Sequence, residues 1–230
     1  MALKILILGL AGAMLIVLGA TLSQDKKIPY EEWKNWHSLK SISKRTKTEG
    51  KNSVVVPGPR IEFGGENMTL QEAYDISSVV VAEPFESKSV IFSDDQIITW
   101  YRFRLLDTIS IRPPLVCDGC PQPLEKPADI EPNKLGEILV PKIGGTVVVD
   151  GVRVTMKDVH MSDFELHERY LMFLSIGANG VARISGGPTG VFRLTDADLL
   201  EPMYQHSRLK SELERRFDLR LSKLRGYSKP

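Results

Sequence analysis

Cys117-Asp118-Gly119-Cys120 is the sharpest chemical motif in the chain. Two thiols at this spacing can form a reactive disulfide or supply half of a zinc site. Reactivity calls for the first thiol at a helix N-terminus, where the backbone dipole lowers its pKa. Pro113 and Pro114 precede the pair and Pro121 follows it, so no helix is predicted to start there. A zinc site needs two further ligands, and the sequence has no second Cys-x-x-Cys. The expected role is a structural disulfide closing a loop tip, with redox chemistry and a metal site as alternatives. A stable disulfide requires an oxidising compartment.

The second cluster is His160, Asp163, Glu165 and His167, inside Val159–Glu168. These side chains can ligate a metal, but their spacing matches no established ligand pattern, and a polar loop between two strands explains them. Asp94-Asp95 is a turn signal, because adjacent residues on a strand point to opposite faces. Gly144-Gly145 and Gly186-Gly187 join no strand to a helix and precede no Lys-Ser/Thr, so they read as turns rather than phosphate cradles. No Gly-x-Ser-x-Gly elbow exists. Asn67-Met68-Thr69 is a glycosylation sequon, significant only in a eukaryotic secretory path. We therefore expect no catalytic residue, no metal and no cofactor. The candidate binding face is Trp100, Arg102 and Arg104, which alternate with Tyr101, Phe103 and Leu105 along one strand. That alternation predicts one core side and one wet side.

The elements that must position these residues are mostly short strands. Thr69-Leu70-Gln71-Glu72 is a capping box that starts a short helix with Leu70, Ala73 and Tyr74 on one side. Ser78–Ala82 is a β-branched run suited to a buried strand, with Pro84 as its expected end. The long amphipathic strand 96–108 follows. Residues 112–135 read as a proline-rich loop insertion. Strands are predicted again at 136–141, 146–149, 152–156, 169–175, 181–184 and 191–194, with Asp150-Gly151 as a tight hairpin. Leu209, Leu213, Phe217 and Leu221 recur every four residues and predict a C-terminal helix within 203–230. Glu212–Arg216 and Lys210–Glu214 are expected i,i+4 pairs on it. Its expected role is a lid on the β domain, and a basic surface helix on lipid is the alternative.

Residues 5–23 carry no charge, and Lys4 precedes them. Such a run at 1–23 belongs in a bilayer or a translocon, as a retained anchor or as a signal peptide cut after Thr21-Leu22-Ser23. Residues 24–65 read as a linker, in which Tyr30, Trp33 and Trp36 suit either the headgroup region or the domain surface. The lysines after the leader favour retention in the cytoplasm by the positive-inside rule. The short n-region and the paired cysteines favour export. The formal net charge of +1 conceals segregation. Residues 25–60 hold nine Lys/Arg against four Asp/Glu, and 204–230 eight against three. Residues 61–203 hold twelve against twenty-two. Basic flanks around an acidic centre suit solvated tails, contact with anionic lipid, or contact with the acidic centre. Nucleic acid is not an expected partner, because the centre repels phosphate.

Three stretches together resemble a known family: Thr69 to Ala82, Ile97 to Leu106, and Arg169–Leu174 followed by Gly187-Pro188-Thr189-Gly190-Val191-Phe192-Arg193. The pattern resembles secreted bacterial β domains of uncharacterised function, and more distantly the netrin-like and tissue-inhibitor-of-metalloproteinase OB-type barrels. The resemblance covers roughly 66–200. It implies an OB-like barrel outside the cytoplasm and no catalytic residue. The tissue inhibitors begin with a free cysteine amine that binds the protease zinc, and this chain has nothing comparable. The expected fold is therefore mainly β. It comprises a small OB-like barrel at 66–202, a short helix before its first strand, a C-terminal amphipathic helix and an N-terminal hydrophobic helix. The expected function is a non-catalytic extracytoplasmic binding or structural module, held to the membrane through its N-terminal segment and open to a protein partner. A thiol-active envelope protein using Cys117 and Cys120 is the alternative.

Overall fold

The computed structural model describes residues 26–27, 38–59, 64–113, 126–128, 130, 134–177 and 179–227. The leader, Tyr30, Trp33, Trp36 and the Cys117/Cys120 pair lie outside the described residues. No helix among the described residues is long and apolar enough to cross a membrane.

The chain is mainly β, as its runs of Val, Ile and aromatic residues favour. The strands are β1 (Lys26–Lys27), β2 (Ser53–Pro57), β3 (Ser78–Ser93), β4 (Gln96–Ser110), β5 (Glu137–Ile143), β6 (Gly145–Val149), β7 (Val152–Lys157), β8 (Arg169–Ile176), β9 (Ala182–Ile184), β10 (Val191–Leu194) and β11 (Leu200–Pro202). The helices are α1 (Leu39–Thr48), α2 (Leu70–Ile76), α3 (Arg208–Phe217) and α4 (Leu221–Arg225). The larger sheet has the order β11-β10-β8-β3-β4-β5, with β9 also on β8; the smaller has the order β1-β2-β7-β6.

The described strands thus form two sheets, where the sequence suggested one barrel. The reason lies at Gly144 and Gly145, with φ of +100° and +125°. They let β5 leave the larger sheet and continue as β6 in the smaller one, a strand that turns a corner between sheets. A Cβ on Gly145 would collide with the hydroxyls of Thr99 and Ser89, so glycine is required there for close approach as well as for φ. The larger sheet itself curls. Leu139 on β5 and Val181 before β9 meet as an isolated parallel bridge, short of a ladder.

β3 is buried on both faces at its start, which is why Val79-Val80-Val81-Ala82 shows no alternation. Val79 and Val81 pack with Leu70, Tyr74, Leu171, Phe173, Phe192 and the helical stripe Leu209, Leu213, Phe217 and Leu221. Val80 and Ala82 pack inside the curl with Tyr101, Phe103, Ile138, Val140, Phe164, Tyr170 and Met172. The capping box forms as the sequence predicts: the Glu72 amide donates to Thr69 Oγ1 (3.1 Å) and the Thr69 amide to Glu72 Oε2 (2.7 Å).

Four expectations change. The segment 24–65 is not a plain linker, for it contains α1 and β2. Leu39 and Ile42 of α1 pack with Val54, Val56, Val152, Val154, Met156 and Ile97, and Ser43 Oγ donates to the Val149 carbonyl at 2.6 Å. The polar pair Ser43 and Thr46 completes the buried face, so the helix shows little apolar signal. β3 does not end at Pro84 but runs on to Ser93. Pairing with β8 stops at Ala82 and the β4 register shifts between Pro84 and Glu86, so the missing amide leaves no broken ladder bond. The C-terminal helix divides at Asp218 and Leu219, both left-handed (φ 51° and 53°). The break bends Leu221 and Leu224 back into the same core. The stripe is buried, so the lid reading of this element holds and its apolar side is closed to lipid. The pair Lys210–Glu214 forms (3.1 Å), but Glu212 turns to Arg208 (3.1 Å) and accepts from the Leu70 amide (3.2 Å) instead of meeting Arg216.

Candidate functional site

The strand β4 carries the three expected face residues, and the structure separates them. Trp100 is only 2% exposed and packs against Ile98, Leu139, Val181 and Ile130. Arg102 is also buried, between Glu86 (Nε to Oε2, 3.1 Å) and Glu137 (Nη1 to Oε2, 3.2 Å). The Lys134 amide, and after it the Arg102 guanidinium, holds the Glu137 carboxyl below the usual range. Arg104 alone of the three is exposed, with its guanidinium 5.4 Å above the Phe85 ring. The wet face expected for Trp100, Arg102 and Arg104 is thus mostly an interior. Alternation shows which residues share a face. It does not show that Val181 and Ile130, remote in sequence, cover it.

The opposite face of β5 leads to a site the sequence did not single out. Ile138, Val140 and Lys142 point the same way, into the mouth of the curled sheet. The Lys142 side chain is 2% exposed. Its ammonium donates to Asp163 Oδ1 (2.9 Å) and to the Ile143 carbonyl (3.2 Å), and lies 3.8 Å from Asp158 Oδ2. The signal was present: a lysine that continues the inward face of an apolar strand must find an anion or remain stranded. Only the fold shows which anion.

Both carboxylates come from the loop between β7 and β8, and aromatic packing fixes that loop. Met161 and Phe164 turn inward. The Phe164 ring meets Tyr101, Phe103 and Tyr170 edge-on, each with centroids 5.0 Å apart. The Glu165 amide donates to the Tyr170 hydroxyl (2.9 Å), and Asp158 Oδ1 accepts from the His160 amide (2.8 Å). Burial pushes the Tyr101 and Tyr170 phenols up, so both stay protonated through the physiological range. With the apolar side chains inside, the polar ones line a solvent-open cleft. One arm, of about 330 Å³, runs along Lys157–Asp163 and Met203. The other, of about 600 Å³, runs from Asp163 and Glu165 past Tyr170 to Arg193, Glu201 and Gln205. Ser162, Asp163 and Met203 border both. Arg193 is committed to Glu201 across the β10–β11 pair (Nε to Oε2, 2.9 Å).

No family model matches the chain, and no curated protein matches it. Function therefore has to be read from the site itself. The four residues His160, Asp163, Glu165 and His167 do not converge. His160 and Asp163 line the cleft, while His167 points away, with Nδ1 3.7 Å from Glu83 Oε1. No group of three or more His, Cys, Asp or Glu side chains among the described residues could hold a metal. Asp163 is oriented by an ammonium behind it, an arrangement that fixes a hydrogen-bond acceptor at a surface. The cleft can receive the side chains of another molecule, with Asp163 and the Arg193–Glu201 pair among its lining groups already engaged in ion pairs.

Proposed function

We propose that this chain is a non-catalytic binding module of the cell envelope, tethered through its N-terminal hydrophobic segment, with the Asp163 cleft receiving a protein partner. The observation that carries the reading is the back-support of the cleft. Phe164 anchors the loop and Lys142 sits behind Asp163, so the loop backbone is already in place when a partner docks. The extracytoplasmic side is the favoured location, on the strength of the leader and the Cys117/Cys120 pair.

The finer fold proposal is a partly open OB-type barrel. Its support is strand order: β3, β4 and β5 pair antiparallel in sequence, β8 pairs antiparallel with β3, and the segment at Val181 approaches β5 in parallel. OB-type barrels commonly bind ligands on the face of the second and third strands. Here Ile130 and Val181 occupy that position on β4 and β5, which turns attention to the loop cleft instead.

A photo-crosslinking residue at exposed Ser162, with one at Arg104 for comparison, tests the cleft in cells. The expected result is a discrete adduct from position 162 that charge reversal at Glu165 weakens. Adducts from position 104 and none from 162 would move the interface to the Phe85–Arg104 surface. Protease accessibility of intact cells and of membrane fractions checks tether and sidedness together.

A further inference from the structure

We propose that the exposed face of α1 rests on anionic lipid headgroups beside the point where residues 5–22 meet the bilayer. The inference rests on the tether just proposed and names the surface that the tether brings to the membrane.

Lys40, Lys44 and Lys47 recur at spacings of four and three, one stripe along α1. All three are exposed, opposite the buried Leu39, Ile42, Ser43 and Thr46, and exposed Arg45 lies beside them. The helix contains no acidic residue. Arg45 reaches Glu49 beyond the helix end (3.4 Å), and Lys51 reaches the same carboxylate (3.5 Å). No ion pair among the described residues engages Lys40, Lys44 or Lys47. Like charges at these spacings repel, so α1 carries an uncompensated cost that an anionic surface would remove.

The other basic flank is different. On the C-terminal helices Arg208 pairs with Glu212, Lys210 with Glu214, Lys223 with Asp218, and Arg225 with Asp107. Those four cations are committed within the protein, Arg216 lies over the Tyr227 ring and Arg220 donates to the Ala197 carbonyl, and the apolar side of their helices is buried.

Chain length also limits how far α1 can lie from the bilayer. Lys26 on β1 pairs with Val54 on β2, in the small sheet that α1 covers. Leu22, the last apolar residue of the leader, lies four residues before Lys26, so it is at most roughly 14 Å from that backbone. A helix packed on a sheet places its outer side chains at a comparable distance, about 15 Å. A leader that leaves β1 on the α1 side and enters hydrocarbon therefore holds the lysine stripe within reach of the headgroups. It also puts the small sheet, rather than the C-terminal helices, nearest the membrane. Each basic residue at an anionic surface contributes about fivefold in partition, so the three lysines together contribute on the order of a hundredfold.

The test uses the full-length chain in lipid nanodiscs of phosphatidylcholine alone, or of phosphatidylcholine with phosphatidylglycerol. Co-elution with the discs reads the tether. Lysine acylation by a water-soluble ester, followed by peptide mass spectrometry, reads the stripe, and exposed Lys223 on the C-terminal helices serves as reference. We expect co-elution with both discs. We also expect Lys40, Lys44 and Lys47 to react at least about fivefold more slowly on the anionic disc, with high salt restoring the rate and Lys223 unchanged between the discs. Failure to co-elute sinks the tether and this proposal with it. Co-elution with equal, fast acylation on both discs leaves the tether intact and places the stripe in water, against the proposal. Slow acylation on both discs, indifferent to salt, means that protein rather than lipid covers α1, which also overturns it.

Discussion

Replacing Lys142 by Met probes the cleft most directly, because the substitution keeps the length of the stem and removes the charged, hydrogen-bonding ammonium. Breaking a buried ion pair costs about 3–5 kcal/mol when the abandoned partner stays buried. Here the partners differ. The Asp163 side chain is 68% exposed and rehydrates once released, so its share is about 0–1 kcal/mol despite the short 2.9 Å contact. Asp158 is 11% exposed, so its carboxylate is the one left stranded, although it lies farther away at 3.8 Å. The expected loss for Lys142→Met is about 2 kcal/mol, most of it from Asp158. Urea unfolding of the full chain, followed by circular dichroism and the fluorescence of buried Trp100, measures this as a drop of about 1 M in midpoint. In the Lys142→Met background, Asp158→Asn should recover about 1 kcal/mol and Asp163→Asn almost nothing. The reasoning fails if Lys142→Met is neutral, or if Lys142 couples more strongly to Asp163 than to Asp158. Either result would mean that distance rather than solvent access sets the energy.

Gly145→Ala should destabilise the corner between the sheets by at least about 2 kcal/mol, since φ is +125° and the new methyl meets Ser89 and Thr99; thermal melting checks it. Burial pushes the Tyr74 phenol up to about 12, against 10 for the free side chain. The unfolded chain then loses this proton first, so stability should fall as pH rises from about 10 to about 12, and Tyr74→Phe should make that slope shallower in alkaline unfolding titrations, leaving the shares of the raised Tyr101 and Tyr170 phenols. The Tyr74 hydroxyl has no hydrogen-bond partner among the described residues, so the same substitution should be neutral or stabilising by up to about 1 kcal/mol at neutral pH. Cys117 and Cys120 should resist mild reduction, as measured by alkylation and mass shift; ready reduction by thioredoxin would favour the thiol-active alternative. Phe164→Ala should cost about 3–5 kcal/mol and also abolish crosslinking from position 162, whereas Phe164→Leu should keep most of both.

Local patterns in the sequence determined what depends on neighbours along the chain. The Thr69–Glu72 box, the Asp150-Gly151 hairpin, the inward run of Tyr101 and Phe103, and the buried four-residue stripe of the C-terminal helices all follow from turn chemistry and periodicity. They form as those patterns require. Tertiary structure decided what depends on which remote surface arrives. Trp100 and Arg102 alternate as wet-face residues do, yet Ile130, Leu139 and Val181 cover the indole, and Glu86 and Glu137 enclose the guanidinium. α1 looked like linker because its buried face contains as many polar as apolar side chains. Lys142 carried a readable anomaly, a charge on an inward face, but the sequence could not name Asp158 and Asp163 as its partners. Side-chain direction is a local property of the backbone, whereas solvent access and electrostatic pairing are settled only when distant segments meet.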